Sequence, residues 1–324
     1  MQSGSIVTSK FKPAWWLADP HSQTLWQYLF RRKINIELIP ERLELPDGDF
    51  VDIRWTTKTT GPLVAVFHGL EGDITSPYSN AIMSYIHSLG WRAVFMHFRS
   101  CSGEMNRLER SYHSGDTDDI RYLIQVLQTR YPNIPIATVG YSLGGNALLK
   151  YLGEPGAASQ IVASVAVSVP YLLHDSAISL SKGISRFYQW RLVRLLQEKI
   201  RRKFIGKNSS ININNLHKLN TFYKFDENIT APLHGFKSAN EYYLKSSSKQ
   251  YLSKIQVPTL LLHARNDPFM SFAAIPKAED LSNSVILELS DKGGHVGFVG
   301  GIVPWKAEYW LEKRITDFLK IYNS

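Results

Sequence analysis

Gly140-Tyr141-Ser142-Leu143-Gly144 sets a serine between two glycines. The β-branched run Ile134-Pro135-Ile136-Ala137-Thr138-Val139 precedes it, and the helical segment Asn146-Ala147-Leu148-Leu149-Lys150-Tyr151 follows it. Strand, sharp turn and helix in that order are the setting of a nucleophile elbow. The turn is so tight that side chains two residues to either side of Ser142 would meet neighbouring backbone, and the missing Cβ of glycine relieves this. The hydroxyl then stands clear of a sheet, at the start of a helix whose N–H groups favour negative charge. The pentapeptide also arises by chance, so its partners decide its meaning.

A serine hydroxyl is a poor nucleophile at neutral pH. It needs a base to take its proton and an acid group to orient and stabilise that base. After an elbow of this kind the expected chain order is serine, then carboxylate, then histidine, each past the end of a late strand. Asp267 lies in Leu260-Leu261-Leu262-His263-Ala264-Arg265-Asn266-Asp267-Pro268, just beyond an apolar strand. His295 lies in the glycine-rich loop Gly293-Gly294-His295-Val296-Gly297-Phe298. Of the ten histidines, only His295 combines a post-strand loop with a position after the acid. Taken singly, Asp267 fits a helix cap and His295 a surface residue; the three in order at strand ends fit acyl transfer. Such chemistry also needs backbone N–H groups for the oxyanion. Leu143, after the serine, and Leu70, in Phe67-His68-Gly69-Leu70-Glu71-Gly72, are the candidates, with His68 expected to be a structural hydrogen-bonding residue. No metal-ligand spacing, Walker loop or dinucleotide fingerprint occurs, so no cofactor and no metal are expected.

The apolar pattern supplies elements to hold these groups. Residues 63–67 form a continuous apolar strand of the kind buried on both faces of a parallel sheet. The pattern predicts further strands over 92–98, 161–168, 259–263 and 285–289. It predicts helices over 77–89, 116–131 and 305–321. Residues 34–45 and 50–56 alternate around Pro46-Asp47-Gly48-Asp49 and read as an antiparallel hairpin, with Pro40 expected to interrupt its first strand. Strand alternating with helix predicts an α/β fold, with a mostly parallel eight-stranded sheet and helices on both faces. Residues 170–255 break the alternation and read as a mostly helical cap inserted into a core of 34–169 and 256–324. The basic segment 191–203 reads as a solvated amphipathic cap helix, followed by a polar stretch over 208–215. Residues 1–33, with Phe11, Trp15, Trp16, Trp26, Tyr28 and Phe30 before Arg31-Arg32-Lys33, read as an irregular aromatic arm packed over the domain. The alternative for this arm is an interfacial anchor.

The chain of 324 residues, 44% hydrophobic and 20% charged, can bury a large core. No uncharged apolar run reaches the ~18 residues that span a bilayer. The first residues lack the pattern of a secretory signal, and the single cysteine, Cys101, excludes an intrachain disulfide, so a cytoplasmic location is the expectation. Cys101 reads as a small loop residue. The net charge of +9 is compatible with peripheral contact with an anionic membrane surface. No nucleic-acid module signature appears, so no nucleic-acid partner is expected.

These residues resemble the α/β-hydrolase superfamily and, within it, the YheT-type AB-hydrolase esterase family. The closer resemblance is carried by Pro20-His21-Ser22-Gln23-Thr24, His68-Gly69-Leu70-Glu71-Gly72, Phe98-Arg99-Ser100-Cys101-Ser102-Gly103-Glu104, Phe225-Asp226, Ala231-Pro232-Leu233-His234-Gly235-Phe236, Tyr242-Tyr243 and the His295 loop. It covers nearly the whole chain and is thinnest around residues 195–220. The resemblance puts the charge-relay positions on Ser142, Asp267 and His295, and implies a carboxylester hydrolase whose eukaryotic relatives suggest lipid esters. The His-x4-Asp pattern of acyl-transferring relatives is absent, because Gly300 stands five residues after His295. The expectation is therefore a cofactor-free serine esterase for short- to medium-chain acyl esters. The rivals are a thioesterase, lipase or acyltransferase with the same triad, and a membrane-surface binding module with a vestigial site.

Overall fold

The computed structural model describes residues 4–58, 60–156, 161–207 and 209–322. Residues 1–3 of the expected arm, 59 and 157–160 of the expected core, 208 of the expected insertion, and 323–324 at the end lie outside the described residues. In chain order the elements are β1 (Ser5–Thr8), α1 (Pro20–Phe30), β2 (Leu38–Glu44), β3 (Phe50–Thr56), β4 (Leu63–Phe67), α2 (Pro77–Ser88), β5 (Arg92–Met96), α3 (Asp118–Arg130), β6 (Ile136–Tyr141), α4 (Leu143–Gly153) and β7 (Ile161–Val167). Next come α5 (Leu173–Leu180), α6 (Ser185–Phe204), α7 (Phe222–Phe225), α8 (Ala231–Leu233) and α9 (Ala239–Ser246), then β8 (Thr259–Ala264), β9 (Val285–Ser290), β10 (Val299–Gly300), β11 (Glu308–Tyr309) and α10 (Trp310–Lys320).

One sheet organises the molecule, in the order β1-β9-β8-β7-β6-β4-β5-β3-β2. All its pairings are parallel except β2 with β3 and β3 with β5. Its strands alternate between two apolar cores. Leu63, Ala65 and Phe67 of β4 join one core with Leu123 and Leu127 of α3 and Leu148 of α4. Val64 and Val66 join the other with Ile82 of α2 and Leu311 and Ile315 of α10. Successive side chains point to opposite faces, so a strand covered on both sides must be apolar throughout.

The sheet has nine strands, one more than expected. The ninth is β1, Ser-Ile-Val-Thr, paired in parallel with β9 at the sheet edge. Its four side chains are exposed, so it carries no burial signature in the sequence. Residues 5–8 and 20–30 are thus a strand and a helix where an irregular arm was expected, and only 9–19 between them run without either. Pro40 does not interrupt β2, since it sits opposite Arg54 in an edge strand, where a missing N–H costs no ladder bond on the open side. The closing helix starts at Trp310, and Glu308–Tyr309 pair with Val299–Gly300 ahead of it. Between β7 and β8 the described residues form helices and turns with no strand.

Arg99, 2% exposed, fastens the start of α3 to the turn between β2 and β3. Its guanidinium makes a two-pronged contact with Asp119 at 2.8 and 2.7 Å and reaches Asp47 at 2.8 Å and Asp49 at 3.2 Å. Planar forked donors match carboxylates in this way. Replacing Arg99 with Met strands three carboxylates, two of them buried. Urea denaturation of Arg99→Met is expected to show a loss of about 3–5 kcal/mol.

Candidate active site

Ser142 occupies the turn between β6 and α4 with φ 50° and ψ −117°, a strained conformation for a residue with a side chain. The surroundings explain why it persists. A Cβ at Gly140 would lie 2.7 Å from the Cα of Gly145, and one at Gly144 would run into the backbone of β4, 2.7 Å from the Phe67 carbonyl oxygen. Both glycines are therefore steric necessities.

The structure brings the three widely separated side chains together. His295 Nε2 lies 2.9 Å from Ser142 Oγ, and His295 Nδ1 lies 2.8 Å from Asp267 Oδ2. A carboxylate only accepts, so Nδ1–H donates to Asp267 and the Nε2 lone pair faces the serine hydroxyl. Asp267 follows β8 and is itself held by the Phe269 N–H, which donates to its Oδ1 at 2.9 Å. The Phe269 ring stacks on the imidazole with centroids 3.9 Å apart. Asp267 is 4% and His295 8% exposed, so the pair is shielded from competing water.

Leu143 is the first residue of α4, so its N–H has no acceptor within the helix. The loop with Leu70 packs against the elbow, where a Cβ at Gly69 would lie 3.2 Å from that of Ser142. His68 is fully buried, and burial lowers its pKa to about 3, so it is neutral. Its Nε2 accepts from the Phe98 N–H at 3.0 Å, which leaves Nδ1–H to donate to the Gly69 carbonyl at 2.7 Å. That peptide is trans, so the following N–H, of Leu70, points away from His68. No hydrogen bond from the Leu70 N–H is made among the described residues.

Two cavities meet at Ser142. A larger cleft of about 620 Å³ runs between α1 and α6, with Tyr28, Leu29, Phe187, Arg191 and Leu195 along it. An inner pocket of about 90 Å³ reaches under the helical segment and is walled by Leu143, Leu173, Ala177, Leu180 and Phe222, with Asp226 among its lining. Burial raises the pKa of Asp226 to about 6, and its carboxylate accepts from Thr230 Oγ1 at 2.6 Å and Tyr243 OH at 2.7 Å. Among the described residues no cluster of three or more His, Cys, Asp or Glu could hold a metal ion, and no helix is long and apolar enough to cross a membrane.

A family model described as the alpha/beta hydrolase fold matches residues 62–301. The chain is 41% identical over 321 residues to "Putative esterase YheT" of Escherichia coli (strain K12), covering 97% of this chain and 94% of that one. The chain belongs to the α/β hydrolase fold family, in its YheT-type group. Phospholipase ABHD3 of Homo sapiens is 26% identical over 315 residues, covering 94% of this chain and 77% of its own. Monoacylglycerol lipase of Saccharomyces cerevisiae (strain ATCC 204508 / S288c) is 29% identical over 313 residues, covering 91% and 69%. A solved structure of the Pyrococcus furiosus esterase Pf2001 superposes with a TM-score of 0.60 at 16% identity, covering 100% of this chain and 99% of that one. That likeness concerns the fold.

Several residues that position the site carry no catalytic signature in the sequence. Helix α1 clamps the His295 loop. Thr24 Oγ1 accepts from the His295 N–H at 2.9 Å, and Gln27 Nε2 donates to the carbonyls of Val296 and Gly297 at 2.7 and 2.8 Å. Gln23 exchanges hydrogen bonds with both backbone groups of Val299. The glycines of this loop admit the helix, since a Cβ at Gly294 or Gly297 would strike α1. The spacing of Gln23 and Gln27, one helical turn apart and facing the same way, was the available signal. The segment 191–203 lies in α6 but is not solvated on all sides: Lys199 and Lys203 are buried, and burial lowers the pKa of Lys203 to about 8. Burial also pushes the Cys101 thiol up to about 11. Thr24→Val would leave the buried His295 N–H without an acceptor, and urea denaturation is expected to show a loss of about 1–3 kcal/mol.

Proposed function

We propose that this protein is a serine carboxylester hydrolase that works through Ser142, His295 and Asp267 and an acyl-enzyme. The observation that carries the reading is the unbroken hydrogen-bond chain from Ser142 Oγ through the imidazole to Asp267 Oδ2, beside two N–H groups with no acceptor among the described residues. The family membership and the esterase, phospholipase and lipase names of its relatives support ester hydrolysis as the reaction class.

Ser142 Oγ attacks the ester carbonyl while its proton moves to His295 Nε2. The carbonyl oxygen becomes an oxyanion, which the Leu143 and Leu70 N–H groups stabilise in a site poor in water. Asp267 stabilises the imidazolium. The intermediate collapses, the carbon–oxygen bond to the alcohol breaks, and His295 protonates the leaving alkoxide. Water then repeats the sequence on the acyl-enzyme with His295 as base, releasing the acid.

The two cavities suggest a division of the substrate. The smaller apolar pocket suits an acyl chain of short to medium length, and the larger cleft suits a larger alcohol portion. The rim of that cleft also supports contact with an anionic lipid surface. Leu29 is 67%, Phe187 51% and Trp190 51% exposed, with Arg191 and Arg194 on the same outer face of α6. Exposed aromatic and basic groups together suit a headgroup region.

A fluorophosphonate probe should label the protein, and Ser142→Ala should abolish labelling and lower ester turnover on the order of 10⁶-fold. Labelling that survives the substitution would overturn the nucleophile. Turnover of p-nitrophenyl esters of graded length should peak at short to medium acyl chains. A rate still rising at long chains would put the acyl group in the outer cleft.

A further inference from the structure

One buried charged cluster lies beside the proposed site and takes no part in the triad. Lys199, on the inner face of α6, donates to Glu71 Oε1 at 2.7 Å and to Cys101 Sγ at 2.9 Å. The side chains of the ion pair are only 9% and 8% exposed. Tyr112 closes the cluster: its hydroxyl donates to Glu71 Oε1 at 2.7 Å and accepts from the Glu71 N–H at 2.9 Å. Its ring lies under the ammonium, 4.9 Å from Nζ to the ring centroid.

Glu71 directly follows Leu70 and has φ 53°. A residue with a side chain adopts that left-handed conformation only where its surroundings hold it there. The peptide on the other side of Leu70 is held without α6: its carbonyl, of Gly69, accepts from His68 and, across the turn, from the Gly72 N–H at 3.0 Å. The peptide after Leu70 is held by Tyr112 and, through the Glu71 carboxylate, by α6.

We propose that Lys199 and Glu71 are positioning residues for the oxyanion donor: helix α6, through Lys199, holds Glu71 in its left-handed turn and so holds the Leu70 N–H over Ser142. The proposal rests on the reading of Ser142 as nucleophile. Adhesion alone does not call for this pair, because α6 already has an apolar anchor: Tyr188 and Val193 belong to a cluster against which Leu25, Leu70 and Phe269 pack. A buried ion pair stabilises no better than apolar side chains of similar volume. What it supplies is a fixed direction at the residue beside the donor. The oxyanion site is then complete only while α6 is seated on the core, so seating of the helix and competence of the serine are coupled.

The test uses the full chain with Lys199→Met, Glu71→Gln and the double variant. The readouts are kcat and KM on a short-chain p-nitrophenyl ester, the thermal midpoint, and the affinity of an alkyl trifluoromethyl ketone. That ketone adds to a serine hydroxyl as a hemiketal, the hydroxyl oxygen bonding to the carbonyl carbon, its proton passing to His295 Nε2 and the carbonyl oxygen becoming the anion. Each single variant should lower kcat by about 10- to 100-fold with little change in KM, since a lost oxyanion donor acts in the transition state. Each should also lower the thermal midpoint, because a buried partner is left unpaired.

The double variant carries no stranded charge, so its midpoint should return toward the parent value. Its kcat should stay low, and its ketone affinity should fall by the same factor as kcat/KM. A double variant that regains kcat together with its midpoint, or variants whose whole loss lies in KM, would overturn the proposal. Should the double variant not fold, Lys199→Met alone decides: a lowered midpoint with parent kcat there would overturn the proposal. The Ser142→Ala control separates the two claims: hydrolysis lost there but kept at the parent rate in the double variant removes only the positioning role.

Discussion

Where the turn after Ser142 meets the end of β4, the two backbones approach so closely that a Cβ at residue 144 would lie 2.7 Å from the Phe67 carbonyl oxygen. Much of the site follows from that contact. It seats the start of α4 under the end of β4, so the serine and the loop that leaves β4 share one small volume. It keeps Ser142 in a backbone conformation the residue would not choose alone. The strain is sustained by packing on both faces of the sheet, with Tyr141 in one core and Leu143, Ala147 and Leu148 in the other. Relaxing the elbow would disturb both layers at once. A close-packed interior deforms little, and that stiffness is what a pre-set oxyanion site requires.

Onto this fixed corner the structure brings two mobile-looking loops and makes them rigid with polar contacts from elsewhere. The loop after β9 carries His295 and has Gly294, Val296 and Phe298 at positive φ, so its course is costly unless held. Thr24 and Gln27 of α1 hold it from one side, and Ser168, after β7, accepts from the Val296 N–H at 3.0 Å. Phe269 braces the imidazole face, and Tyr188 of α6 packs on Phe269 with ring centroids 5.0 Å apart. Ser185 of α6 donates to the Pro268 carbonyl beside the acid. Each hydrogen-bonded brace satisfies a backbone group that would otherwise cost free energy. Positioning of the imidazole and burial of polar backbone are thus one problem with one set of residues.

The legible part of this site was the part written in short-range chemistry. A serine between glycines at a strand's end, an acid past an apolar strand and a histidine in a glycine loop each announce themselves locally, and the coordinates bring all three within hydrogen-bonding reach. The central strands were legible because apolar runs of five or six residues flanked by turns have few other readings. What escaped was set by distant partners. The strand β1 is four exposed residues, and only its pairing with β9 defines it. Pro40 reads as a breaker until the open edge of β2 is known. Gln23, Thr24 and Gln27 look like a polar helix face, yet that face is buried because the His295 loop offers it backbone partners. In each case a local rule gave way to a tertiary hydrogen bond or an edge position.

Helix α6 shows how one basic stretch can serve two faces at once. Arginines 191, 194, 201 and 202 stay outside, among the exposed Phe187, Trp190 and Leu195. Lysines 199 and 203 turn inward, the first to Glu71 and the second to the Arg110 carbonyl at 2.7 Å. The division follows from shape and hydration. An ammonium on a flexible apolar stem can be threaded through a packed layer and satisfied by a few acceptors. A guanidinium needs a planar set of partners, as Arg99 finds among three aspartates. Charge counted along the sequence therefore says little about which side of a helix it serves. Here the inward Lys199 binds the helix to the loop that flanks the serine, while the outward Arg191 borders the cleft that opens at Ser142.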